Sequence, residues 1–261
     1  MPHFIITLIL VFSFSAVSAQ TAWNTFSSDF SRSYERVTTN FSDFFTFKQP
    51  GYAYFGVPAM FAISTPADRF FQRESRNWTS QTASTFKNLG NNYGEGLTPL
   101  ILATGLYTGG LVFGSDGIRE KGRTLTEAMV YAAITTQTIK MIAGRSRPYT
   151  EQGPYDWGHS SWADDSHFSF PSGHTMAAFT VSTVMADGTG WMGHTFWYGL
   201  AGVTAWARIT SNKHWFSDTV TGAWIGFTSA KAALNKDEQE VSSAGWKVEP
   251  GLSSMTLVYR F

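Results

Sequence analysis

Six uncharged, apolar stretches constrain what this chain can fold into. They cover roughly residues 50–67, 96–115, 128–139, 175–186, 188–207 and 219–230, with charges and turn residues between them. Most are too long for strands and are rich in Ala, Leu and Met, so they read as helices. There is no strict internal repeat and no long low-complexity linker. The expectation is an all-α fold: one helical bundle of about six core helices.

The clearest helix runs over 124–142. Thr124 and Glu127 have capping-box spacing ahead of an apolar run, and Gly144 and Pro148 stop it. At the C-terminus the period changes. Met255, Leu257, Tyr259 and Phe261 alternate with Thr256, Val258 and Arg260, which predicts a short strand-like tail. The ending YRF resembles the last strand of outer-membrane barrels, but one strand cannot make a barrel. An edge strand or ordered tail is the expectation.

The N-terminus has the form of an export signal. Phe4 to Phe14 is an apolar core, and SAVSA follows with small residues at Val17 and Ala19. Cleavage after Ala19 fits, although no Lys or Arg precedes Arg32. The alternative is a first membrane helix, for which the apolar core is short. The organisation is then 1–19 signal peptide, 20–95 helical or irregular region, 96–235 bundle carrying the site, and 236–261 tail. Segments 96–115 and 188–207 are uncharged for twenty residues, the length of a span. They are also rich in Gly and Thr, and the mean hydropathy of −0.12 is low for a chain made of spans. A soluble or membrane-leaning bundle is favoured over an embedded one, and both stay open. Zero net charge leaves no nucleic-acid footprint. The absence of cysteine excludes disulfides and thiol catalysis. Oligomeric state is not encoded in any visible pattern.

Three clusters carry chemistry. The first is KMIAGRSRP, Lys140 to Pro148, at the end of helix 124–142. The second is PSGH, residues 171–174, where Ser172 is placed to cap a helix whose first N–H groups suit an anion. The third is RITSNKHWFSD, Arg208 to Asp218. There the four-residue separation puts His214 and Asp218 on one helix face, so the carboxylate can fix the imidazole tautomer. Each cluster alone is an ordinary helix end. If neighbouring helices of about 25–30 Å run antiparallel, all three fall at one end of the bundle. Lys140, Arg147, Arg208, His174, His214 and a helix N-terminus then make a site for a tetrahedral oxyanion.

These residues resemble the type 2 phosphatidic acid phosphatase superfamily, which includes bacterial class A acid phosphatases, lipid phosphate phosphatases and vanadium haloperoxidases. Lys140, Arg147 and Pro148 match its first motif, residues 171–174 its second, and Arg208, His214 and Asp218 its third; Ala207 stands where that motif has serine. The resemblance covers about residues 120–230. It implies a phosphatase acting on phosphate monoesters or pyrophosphates, with lipid phosphates the favoured class. His214 is the implied nucleophile, Asp218 its orienting carboxylate and His174 the acid and then base. Lys140, Arg147, Arg208 and backbone N–H groups near Ser172 and Gly173 are the implied phosphate holders. No metal or other cofactor is implied. Location in the periplasm or cell envelope, on or in a membrane, follows from the export signal, and the optimum is expected on the acidic side of neutrality. The alternatives are a soluble periplasmic acid phosphatase, a vanadium-dependent haloperoxidase in which His214 binds vanadate, and a non-catalytic binder of a phosphorylated ligand.

The loop GHSSWADDSH holds His159, Asp164, Asp165 and His167, metal-capable types without the spacing of a known site. Trp157, Trp162, Phe168 and Phe170 either line an entrance or pack the loop, and Trp215 either walls the site or packs beside it.

Overall fold

In a computed structural model, the structure describes residues 19–39, 51–75, 77–78, 81–158, 164–243, 245–250 and 255–260. The signal-like segment before residue 19, together with His159, Trp162 and Phe261, lies outside them. The helices are α1 (19–39), α2 (Gly51–Ser64), α3 (Asp68–Ser75), α4 (Gln81–Tyr93), α5 (Leu97–Phe113), α6 (Asp116–Ala143), α7 (Gly173–Ala186), α8 (Trp191–Thr210) and α9 (Phe216–Ser243). Strands β1 (Gly245–Pro250) and β2 (Met255–Arg260) pair antiparallel, with Gly245 opposite Arg260. The alternating tail is thus the second strand of a hairpin.

Helix α7 is the centre of the bundle. It packs against α6, α8 and α9 and is buried on nearly every face, as a helix apolar all round must be. Its hydroxyls are satisfied. Thr180 and Thr183 donate to the carbonyls of Met176 and Phe179, and Ser182 donates to Trp197 O on α8. Val181 and Val184 meet Leu125, Ala128 and Tyr131 of α6 and Ala230 and Ala233 of α9 in one core. A second cluster joins Ala132, Met176, Ala177 and Ile225. Two glycines let α9 approach α7 closely. A Cβ at Gly222 would lie 2.5 Å from Ser172 O, and one at Gly226 would lie 2.3 Å from Met176 O. This approach brings the first turns of α7 and α9 together, where Ser172 N donates to Asp218 O at 3.0 Å.

Two boundaries differ from the sequence expectation. Helix α6 starts at Asp116, so Thr124 and Glu127 are interior, buried residues and not a capping box. The charged turns before Thr124 stay helical because their charges are paired. Arg119 binds Asp116, Arg123 binds Glu120 and Glu127, and Arg36 of α1 also reaches Glu127. Helix α9 starts at Phe216, so His214 lies in the turn before it. Gly144 ends α6 as expected, in the left-handed conformation with its N–H on Lys140 O.

Among the described residues no single helix is long and apolar enough to cross a membrane. The pair α4 and α5, bent by 57°, passes that test together by length and composition. Large apolar side chains face outward on α1 (Trp23, Phe26, Phe30, Tyr34) and on α5 (Leu97, Leu100, Ile101).

Candidate functional site

Four helix ends meet at one end of the bundle: the C-termini of α6 and α8 and the N-termini of α7 and α9. Each brings part of the constellation. Lys140, in the last turn of α6, donates from Nζ to Phe168 O at 2.6 Å. It runs beside the start of α7, where a Cβ on Gly173 would lie 3.9 Å from Lys140 Cε. Burial, then the charge of Arg147, pushes the Lys140 ammonium down to about 8. Arg147 follows in the loop. It donates to Asp165 O and Oδ1, at 2.8 and 2.7 Å, and to Lys213 O at 3.2 Å. Its Nη1 lies 3.5 Å from His214 Nε2. Arg208, in the last turn of α8, donates to Asn91 Oδ1 at 2.9 Å. Its Nε is buried and meets no acceptor among the described residues.

Ser172 caps α7, with its Oγ accepting from Thr175 N. Its own N–H is taken by Asp218 O. The first-turn N–H groups that remain for an anion are therefore those of Gly173 and His174, which meet no acceptor among the described residues. His174 stands among cations. Burial, then Arg208, Arg147 and Lys140, pushes its imidazole down to about 4, with Asp165 pulling the other way. Three cations and a histidine that resists becoming a fourth form a site short of negative charge.

His214 is buried, and burial holds its imidazole neutral, well below the ordinary histidine range. Its Nδ1 lies 2.7 Å from Ser169 O, so Nδ1 carries the proton and donates it there, leaving Nε2 unprotonated with its lone pair toward Arg147 Nη1 at 3.5 Å. The tautomer is thus fixed by a main-chain carbonyl and not by Asp218, whose Oδ2 lies 3.7 Å from Nδ1. Asp218 is occupied otherwise. Its Oδ2 accepts from Ser169 Oγ at 2.5 Å and from Trp215 N at 2.8 Å, and its Oδ1 accepts from Arg145 Nη1 at 2.5 Å. The Trp215 bond is half of a capping box. It turns the chain before α9 and carries His214 back over its own carboxylate. Burial opposes ionisation of Asp218, but Arg145 and the hydrogen bonds outweigh it and hold the carboxyl down at about 2.

Arg145 and Asp68 were not among the sequence candidates. Both are fully buried and 2.7 Å apart, and both bond Ser217. Arg145 lies against the rings of Trp157, Phe61 and Trp215, at 4.7, 5.4 and 5.6 Å. Trp157 and Phe170 pack edge-to-face on Phe61. These loop aromatics therefore pack around Arg145, and Trp215 is buried with its Nε1 on Ser146 O. The Phe168 carbonyl serves Lys140. In the acidic loop, Asp164 caps a short turn at Ser166 N, Asp165 pairs with Arg147, and His167 Nδ1 lies 2.8 Å from Ser146 Oγ. Ala207 is buried where α8 meets Gly90 of α4.

Known proteins share part of this sequence and the fold. Residues 122–240 match the PAP2 superfamily. A 79-residue stretch is 35% identical to a lipid A 1-phosphatase of Porphyromonas gingivalis, covering 28% of this chain and 17% of that protein's length. The crystal structure of LpxE from Aquifex aeolicus shares the fold with a TM-score of 0.52 at 23% identity, over 64% of this chain and 94% of that one. So does the first transmembrane PAP2 type phosphatidylglycerolphosphate phosphatase from Bacillus subtilis, with a TM-score of 0.56 at 17% identity, over 72% and 97%. All three motifs, from Lys140 to Asp218, fall inside the segment that matches the PAP2 superfamily.

Proposed function

We propose that this chain is a lipid-phosphate phosphatase of the cell envelope that works through a phosphohistidine on His214. One observation carries the reading. His214 is neutral with its proton held at Nδ1 by Ser169 O, and its unprotonated Nε2 faces the cationic pocket beside Arg147. A simple anion binder needs the cations but not an aimed, unprotonated nitrogen beside them.

In the proposed course, Lys140, Arg147, Arg208 and the first N–H groups of α7 hold the phosphate oxygens. His214 Nε2 bonds phosphorus, and the bond to the alcohol oxygen breaks as His174 gives that oxygen a proton. His174 then takes a proton from water, whose oxygen attacks phosphorus and frees His214. The fixed cations supply the charge stabilisation that the transferring group requires. Bound phosphate also raises His174 toward its working range, because it cancels the cations that hold the imidazole down.

The lipid class is supported by the similarity to a lipid A 1-phosphatase and by the outward apolar residues of α1 and α5, which fit a membrane surface. Export fits the N-terminal signal-like segment, and the division into signal, N-terminal region, bundle and tail is part of this proposal. The test is phosphate release by the protein with EDTA present, comparing phosphatidic acid in detergent micelles with a soluble aryl phosphate. Turnover of the lipid is the expected result. Turnover of the aryl ester alone would make this a soluble acid phosphatase, and no release above His214→Ala would overturn the phosphatase reading.

The pH dependence has a definite sign. His174 must be protonated in the complex, yet it is neutral above about 4 in the empty site. Substrate binding therefore takes up a proton, and kcat/KM falls as pH rises. Above about 8 Lys140 also loses its charge, and the fall steepens. Lys140→Arg is expected to remove the steepening while keeping the first slope. A profile flat from pH 5 to 9 would contradict both assignments.

A further inference from the structure

We infer that Asp68 and Arg145 are positioning residues for His214, acting through Asp218, so that the N-terminal half of the chain completes a site whose motifs all lie in the C-terminal half. The inference rests on the reading of His214 as nucleophile. Asp68 opens α3, outside the segment that matches the superfamily.

The contacts form one buried chain. Asp68 Oδ1 accepts from Ser217 N at 2.7 Å, and Oδ2 accepts from Ser217 Oγ and from Arg145 Nη2, both at 2.7 Å. Arg145 Nη1 passes on to Ser217 Oγ at 2.8 Å and to Asp218 Oδ1 at 2.5 Å. Its Nε and Nη2 also donate to Pro154 O, at 3.0 and 2.6 Å. Asp218 Oδ2 then lies 3.7 Å from His214 Nδ1. Every charged member is fully buried, so neither water nor salt screens the set.

Two consequences follow. The first is geometric. Asp218 is held at both oxygens, and Arg145, which holds one of them, is itself fixed by Asp68, Ser217 and the Pro154 carbonyl. The carboxylate cannot rotate, so neither can the Ser169 segment bonded to it, whose carbonyl sets the His214 tautomer. The second is electrostatic. Arg145 with Asp218 alone has no net charge. Burial raises the Asp68 carboxyl from its usual range while Arg145 and the Ser217 donors pull it back, and ionised Asp68 gives the set one net negative charge. When Nε2 bonds phosphorus and the alcohol oxygen leaves with the electron pair, Nδ1 keeps its proton and the ring becomes cationic. A negative set behind the ring stabilises that cation, and a neutral pair does so less. Facing the ring from the other side are Lys140 and Arg147, with His174 and Arg208 beyond them, all serving the phosphate.

The test is Asp68→Asn in the full chain, alone and combined with Asp218→Asn, assayed on phosphatidic acid micelles. The single substitution is expected to lower kcat about tenfold to a hundredfold, the scale of a misplaced catalytic group. KM and inhibition by inorganic phosphate should stay within about twofold, because the phosphate-holding residues are untouched. In the Asp218→Asn background the loss should vanish, since a residue acting through Asp218 has nothing left to position. Full kcat in Asp68→Asn, a loss shared equally by KM, or a loss that simply adds to that of Asp218→Asn would overturn the role of Asp68. If Asp68→Asn gives no cooperative unfolding transition, Ser217→Ala takes its place. It cuts the hydroxyl link between Asp68 and Arg145 and should show the same kcat-only, Asp218-dependent loss at smaller size. Wild type no faster than His214→Ala would instead overturn the nucleophile itself.

Discussion

Replacing His214 with alanine is expected to cut turnover by about 10⁴-fold or more, the scale seen when a covalent nucleophile is removed. The phosphate site should survive. Lys140 is held by Phe168 O and Arg208 by Asn91, and Arg147 keeps its bonds to Asp165 and Lys213 O when its 3.5 Å contact with the imidazole is lost. Inhibition by inorganic phosphate should therefore stay within a few-fold of wild type while acid-labile phosphate on the protein disappears. The fold should hold too, because α9 is started by the Asp218 bond to Trp215 N, which the substitution leaves in place. Measuring turnover, phosphate inhibition and the acid-labile label on one preparation separates loss of chemistry from loss of structure. Full activity in the purified variant would sink the proposed mechanism.

The parts of this site that were legible in the sequence are those set by local rules. Ser172 caps α7 because a serine before a helical run accepts from an early N–H, which the string PSGHT displays directly. Gly144 ends α6 for an equally local reason. The meeting of the three clusters at one end was legible only through helix lengths and alternation. The spacing of His214 and Asp218 predicts one helix face, but Asp218 reaches back to Trp215 N and starts α9 at Phe216, which places His214 in a turn. The separation of four residues still brought ring and carboxylate together, by a different geometry. The agent that fixes the His214 tautomer, the carbonyl of Ser169, has no side-chain signature at all. Asp68 was hidden for another reason. It lies 77 residues before Arg145 in the chain, and nothing in TPADRFF marks it as buried.

Helix α1 shows why a period search can fail outright. Its Asp29 and Arg36 are buried against Arg119, Tyr107 and Glu127, while Trp23, Phe26, Phe30 and Tyr34 face out. The polar side is the inner side. A reading that looks for apolar residues on the buried face finds no pattern in such a helix. The same inversion gives α1 an outward apolar stripe, and this fits the proposed membrane surface better than it fits a helix exposed to water.

His174→Ala is expected to separate substrates by their leaving groups. An alkoxide departs poorly without a proton, so turnover of phosphatidic acid should fall by about 10²–10⁴-fold, the usual contribution of a general acid. Nitrophenolate departs without one. With nitrophenyl phosphate the attack by His214 should therefore persist. The second step should not, because the base that activates water is gone. Phosphohistidine should accumulate, seen as a burst of nitrophenolate close to one equivalent per enzyme followed by a slow phase. The geometry supports this separation. The His174 side chain has no hydrogen-bond partner among the described residues, so its removal disturbs neither the Ser169–His214 bond nor the Asp218 network. The substitution also removes the group that must take up a proton on binding, so the decline of kcat/KM with rising pH should flatten below about 8 and persist only above it, where Lys140 titrates. Equal losses on both substrates, without a burst, would mean that His174 only shapes the phosphate pocket. The proton would then have to reach the leaving oxygen from another donor facing it, and Lys140, with its ammonium pushed down toward neutrality, is the group placed to supply it.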